Sequence, residues 1–119
     1  MKKKIFDQVI NCEVTRLGRD FAICVYGGDE PHLGALCLAV PYYKNEKLHA
    51  SVSTLVIPTH RDNVIAELFA KRFALAFNSN VSCSCGIHYD IITSSEIEKF
   101  ILLMELFAEE VIEKERAYE

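Results

Sequence analysis

The hydrophobic and polar positions follow two periods, and the switch between them divides the chain. Over residues 8–16, Ile10, Cys12 and Val14 alternate with Asn11, Glu13 and Thr15, as in a strand with one buried face. Leu17-Gly18-Arg19-Asp20 reads as a hairpin turn into a second strand over 21–26. A third run over 33–40 is almost continuously apolar, which predicts burial on both faces, and Pro41 is expected to end it. Residues 42–47 read as a solvated loop. A fourth strand is expected over 50–57, with β-branched Val52, Thr54, Val56 and Ile57.

Beyond Pro58 the period becomes helical. Thr59 is placed to cap a helix, with Asp62 three residues on in the capping-box position. Ile65, Leu68, Phe69, Phe73, Ala76 and Phe77 then recur at helical spacing until Asn78-Ser79-Asn80. A fifth strand over 81–85 runs into Gly86-Ile87-His88-Tyr89-Asp90. Thr93-Ser94-Ser95-Glu96 is a second capping box, and behind it Ile97, Phe100, Ile101, Met104, Phe107, Ala108 and Val111 form a long stripe suited to a core or a dimer seam. The order ββββαβα predicts a single α+β domain over 1–119, a mainly antiparallel sheet with two helices packed on one face. Short links between the first four strands make an antiparallel meander the economical pairing.

Composition narrows the class. The 119 residues are half hydrophobic and a quarter charged, as in one folded domain with a real core. No uncharged apolar stretch reaches the length of a membrane span. Lys2-Lys3-Lys4 resembles the start of an export signal, but Asp7, Gln8, Asn11 and Glu13 interrupt the apolar segment such a signal needs, so a cytoplasmic protein with a solvated basic end is expected. The net charge of −4 resides in the last helix, where eight Glu face three Lys or Arg from Thr93 onward. No Lys/Arg stripe supports nucleic-acid binding. Five cysteines, one on each of three early strands and a pair at Cys83 and Cys85, suit buried thiols in a reducing compartment better than a disulfide framework.

Candidate chemistry gathers where elements end. Gly27-Gly28-Asp29-Glu30-Pro31-His32-Leu33-Gly34 joins two apolar strands through paired glycines, an X-Pro step and an imidazole. Such a turn can present backbone N–H groups to an anion, although it can equally serve geometry alone. His60 lies in the turn before the first helix and His88 at the end of the fifth strand, whereas His49 falls in the polar loop. Three imidazoles with Asp90 or Asp29 have the donor types of a catalytic zinc site, but no recognised metal-ligand spacing is present. A phosphorylated ligand is the alternative. The glycine corners, the helix start near His60-Arg61 and the histidines would meet its phosphate, and Tyr26, Leu33, Ile87 and Tyr89 would cover a ring. His88 and Asp90 also have the makings of an acid–base pair, without a nucleophile beside them.

Three blocks carry a resemblance across nearly the whole chain: Gly27-Gly28-Asp29-Glu30-Pro31-His32-Leu33-Gly34, Thr59-His60-Arg61-Asp62, and Gly86-Ile87-His88-Tyr89-Asp90. In order and spacing they resemble the prenylated-flavin-chaperone-like family typified by an accessory subunit of gallate decarboxylase, akin to proteasome assembly chaperone 4. Arg61 stands where many relatives carry Lys, which keeps the charge. The resemblance implies an accessory role, non-catalytic, holding or loading prenylated FMN or FMN for a UbiD-type decarboxylase. Carried over residue by residue, it makes His32, His60, Arg61 and His88 ligand-facing, with Gly27, Gly28, Gly34 and Gly86 shaping the backbone and Asp90 closing the third block. A homodimer is expected, and no nucleic-acid or membrane partner. Two other readings stay open: a homodimeric protein-interaction scaffold in which the histidines are bystanders, and a small metal-dependent enzyme using His32, His60 and His88.

Overall fold

The structure is a computed structural model that describes residues 1–58, 62–90 and 92–118. Six strands, β1 (Lys2–Ile5), β2 (Gln8–Leu17), β3 (Asp20–Gly28), β4 (Ala35–Lys44), β5 (Lys47–Val56) and β6 (Val81–His88), form one sheet in the order β1-β2-β3-β6-β4-β5. Two helices, α1 (Asn63–Phe77) and α2 (Ser94–Arg116), pack against it. The α+β class is as expected, but the pairing is not a simple meander. β6 inserts between β3 and β4, parallel to the first and antiparallel to the second. A central slot between two sequence neighbours is available because the link from β3 to β4 is long enough to cross one strand.

Two hairpins differ from the sequence reading for one reason. The basic start is an edge strand, with Lys2 opposite Asn11, and residues 42–47 are not a loop but the tip of the β4–β5 hairpin. Both turns use two residues at positive φ, Phe6-Asp7 and Asn45-Glu46. That is the geometry whose twist suits a tight hairpin, and here it carries no glycine to announce it. Pro41 does not end β4, which continues to Lys44 with Pro41 opposite Ala50. His49 lies within β5, half-buried and stacked on Tyr42 with ring centroids 5.6 Å apart.

Only one face of the sheet is covered. Inward positions of β2, β3, β4 and β6 supply Ile10, Phe21, Val25, Cys37, Val81 and Cys83, all at most 3% exposed. Phe69 and Phe73 of α1 and Met104 and Phe107 of α2 close the core from above. The predicted two-sided burial of β4 fails: Ala35, Cys37 and Ala39 are buried, while Leu36, Leu38 and Val40 between them are exposed. The five cysteines are free thiols, four of them buried. The second capping box forms as expected, Thr93 Oγ1 accepting from the Glu96 N–H and the Glu96 carboxylate from the Thr93 N–H. The first helix begins later than its sequence implied. Asp62 is its N-cap and makes no side-chain capping bond, and Thr59 lies outside the described residues.

Phe73 is fully buried with its ring 5.6 Å from Phe21 and from Phe77. Phe73→Ala is expected to cost about 3–5 kcal/mol of unfolding free energy, measured by urea titration. A loss under about 1 kcal/mol contradicts the packing described.

Candidate functional site

The parallel register makes β3 and β6 end side by side, Gly27 opposite Ile87 and Gly28 opposite His88. To reach β4, residues 29–34 must cross the end of β6, and they do so at backbone contact distance. A Cβ on Gly86 would collide with the His32 carbonyl, and one on Gly34 with the Asp62 carboxylate. Gly28, at φ +84°, has the His88 carbonyl where a side chain would stand. The glycine blocks are therefore steric requirements of a crossing.

The crossing is tied down by its own polar groups. The Asp29 N–H donates to the His88 carbonyl at 2.7 Å and the Gly34 N–H to the Cys85 carbonyl at 2.8 Å. Asp62 Oδ1 accepts from the Ile87 N–H at 2.9 Å. These three N–H groups are consumed by the fold, so none of them is open to an anion. Asp62, 5% exposed, itself occupies the position of a bound anion there.

The other oxygen of Asp62, Oδ2, lies 2.9 Å from His32 Nε2, and His32 Nδ1 lies 3.1 Å from the Glu30 carbonyl. Both partners are acceptors, so the arrangement favours a ring with a proton on each nitrogen. Burial draws the imidazole toward its neutral form, but the Glu30 carbonyl and the Asp62 carboxylate outweigh it and hold the His32 pKa above its ordinary value. One side chain thus clamps three segments: the crossing loop, the start of α1 and the end of β6.

His88 stands beside this clamp, its ring centroid 6.5 Å from that of His32. Its Nε2 lies 3.1 Å from Asp90 Oδ1. The Asp90 N–H donates to Asp29 Oδ2 at 2.6 Å, and Asp29 Oδ1 accepts from Gln8 Nε2 at 2.7 Å. Beside His88, a cavity of about 460 Å³ opens between the start of α1, the end of β6 and the first turns of α2. Val64, Ile65, Ile87, Ile97, Phe100 and Ile101 supply its apolar wall, and Asp62 and His88 its polar side. A second cavity of about 440 Å³ lies across Tyr89 and is ringed by Asp7, Asp29, Asp90 and Glu96. Tyr89 is held between the two, its hydroxyl donating to the Ile5 carbonyl at 2.6 Å and its ring edge-on to Phe6 and Phe100. Burial, and then the charge of Asp29, push its pKa up to about 12. The carboxylates of the second cavity repel an anionic ligand.

Of the residues singled out in the sequence, Gly27, Gly28, His32, Gly34, Gly86, His88 and Asp90 meet at one edge of the sheet. His60 and Arg61 lie outside the described residues. Among the described residues no group of three or more His, Cys, Asp or Glu side chains is arranged to hold a metal ion, and no helix is long and apolar enough to cross a membrane. The roles of Asp62 and of the apolar wall are not evident from the sequence. Asp62 stands in one of the three blocks at a capping position, and Ile97, Phe100 and Ile101 have the spacing of a core stripe. A carboxylate next to a His/Arg pair, before a helix that starts late, is the one local sign of it.

What the fold and this edge define is a small α+β domain with a ligand-sized cavity at the carboxyl ends of two parallel strands, where open sheets commonly bind small molecules. The chain belongs to the prenylated flavin chaperone LpdD-like domain family, which it matches over residues 4–116. No curated protein matches it.

Two outcomes check this geometry. Gly86→Ala is expected to destabilise by about 1–3 kcal/mol, because the His32 carbonyl must move. Raised in the folded state, the His32 pKa makes its stabilisation complete below the unfolded imidazole value and lost as pH rises through the folded one. The stability gap between wild type and His32→Gln should therefore shrink from about pH 5 to about pH 9; a constant gap in urea titrations contradicts the clamp.

Proposed function

We propose that the domain holds prenylated FMN, or its parent FMN, and keeps it available to a UbiD-type decarboxylase in the cytoplasm, without catalysing a reaction itself. The observation that carries this reading is an apolar cavity at one sheet edge with His88 in its wall and His32 beside that ring. A volume of about 460 Å³ lies within the range of roughly 300–1,000 Å³ usual for small-molecule sites. Family membership supplies the flavin, and the chemistry of the wall agrees with it. The ring system of the flavin lies against Ile97, Phe100 and Ile101. Its phosphate end stays at the mouth, toward His88 and the neighbouring His32.

Within this reading Gly27, Gly28, Gly34 and Gly86 act by letting the backbone close up, and Asp90 orients His88. An oriented imidazole and a protonated one give an anionic ligand charge-assisted hydrogen bonds. The chain works as a homodimer that presents the loaded edge to the decarboxylase.

Titration with FMN and with prenylated FMN, followed by flavin fluorescence and melting temperature, tests the proposal. Retained chromophore is expected, with a stabilisation of about 2.7 kcal/mol at a ligand concentration near 100 Kd. His88→Ala and Ile97→Glu should each weaken binding at least about tenfold while leaving the fold intact, since Ile97 is 41% exposed. No melting shift, or equal affinity in both variants, rejects the assignment.

A further inference from the structure

The sheet has two edges, and they are built in opposite ways. β1, at one of them, is four residues long and carries Lys2, Lys3 and Lys4. A short strand crowded with lysines is a common means of keeping a foreign strand from pairing with an edge. β5, at the other, runs for ten residues, and after Lys47 it includes no Asp, Glu, Lys, Arg or Pro. Nor does a bulge interrupt it. It matches β4 residue for residue, from Lys47 opposite Lys44 to Val56 opposite Ala35.

The register shows which backbone groups this edge presents. The Ile57 N–H donates to the Gly34 carbonyl at 2.8 Å, one step beyond the last pair of the ladder. Antiparallel hydrogen bonding alternates residue by residue, so residues 49, 51, 53 and 55 bond to β4. Leu48, Ala50, Val52, Thr54 and Val56 turn their N–H and C=O groups outward, and among the described residues no other backbone group meets them. The side chains of Ala50 and Val52 pack against the core but are only half-buried, although α1 rests on β5. The layer of side chains beneath α1 is therefore unfinished at this edge.

One end of the edge also carries unmatched charge. Lys44 and Lys47 stand directly opposite one another, an arrangement that like charges disfavour. Among the described residues neither forms an ion pair, even with Glu46 in the turn between them.

We infer that β5 takes up an extended segment of another protein as a further strand. The segment runs antiparallel, the pairing that is the more stable per residue. It carries uncharged, β-branched or apolar side chains toward α1 and an acidic residue beside Lys47. Strand addition draws its affinity from main-chain hydrogen bonds and its selectivity from alternate side chains. A second β5 fits this edge less well. Antiparallel, it sets Leu55 and Val56 beside the lysines and leaves their charge unmatched; parallel, it adds another Lys47. Strand addition at β5 is independent of the ligand held at the histidine edge.

Two capped peptides of alternating threonine and valine test it, one closed at its C-terminal end by two glutamates and the other by two lysines. Binding is followed by fluorescence anisotropy and amide hydrogen exchange at peptide concentrations up to about 1 mM. The acidic peptide is expected to bind more tightly and to slow exchange at Ala50, Val52 and Thr54. Ala50→Pro removes one outward donor without touching a bond to β4. It should weaken binding at least about tenfold with an unchanged circular dichroism spectrum. Lys47→Glu, at an exposed position, should reverse the preference between the two peptides by about threefold or more. Failure of the acidic peptide to bind, full affinity in Ala50→Pro, or equal affinity of wild type for the two peptides overturns the inference. So does protection of the same amides without peptide that vanishes on dilution, because a second copy then holds the edge.

Discussion

The parallel register of β3 with β6 governs the rest of the molecule. Two strands that run the same way must finish at the same edge, and the chain leaving the first must step over the end of the second to reach β4. That step brings the backbone of residues 29–34 onto Gly86 and sets Gly34 against the Asp62 carboxylate, with no room for a Cβ at either position. A buried carboxylate, Asp62, locks the arrangement by joining the Ile87 N–H to the His32 imidazole. The histidines face one another as a consequence of where two strands stop.

The sheet is asymmetric in a way its strands individually are not. On the inner side, small residues on β4 and β6, among them Ala35, Cys37, Ala39 and Cys83, let α1 approach closely through Ala66, Ala70 and Ala74. The aromatic rings of Phe69, Phe73 and Phe107 fill the space between helices and sheet. The thiols among them are structural. Burial holds Cys12 at about 12 and pushes Cys83 and Cys85 well above the ordinary thiol value, so none is poised as a nucleophile. On the outer side the same strands carry leucine and serine with no helix to meet them.

Much of this was legible in the residues. The period-two run from Ile10 to Val14, the helical stripe from Ile65 to Phe77 and the capping box at Thr93 each settle an element from neighbours in the chain, because local geometry depends on local spacing. The hairpins at Phe6-Asp7 and Asn45-Glu46 were not legible, since their positive-φ turns lack the glycine that usually marks them. Nor was the exposed half of β4. An alternation of leucine with alanine and cysteine is apolar throughout, and periodicity cannot tell a strand buried on two faces from one with a face left open.

Periodicity and turn chemistry were thus enough for the α+β class, the two helices and the positions where polar residues interrupt the strands. Which strand lies beside which was decided only in three dimensions, because pairing joins residues such as Cys24 and Ser84 whose separation in the chain leaves no local trace. The same holds for the edge itself. His32, Asp62 and His88 are ordinary residues in their own segments, and they become one constellation because a parallel pair of strands carries them to a common end.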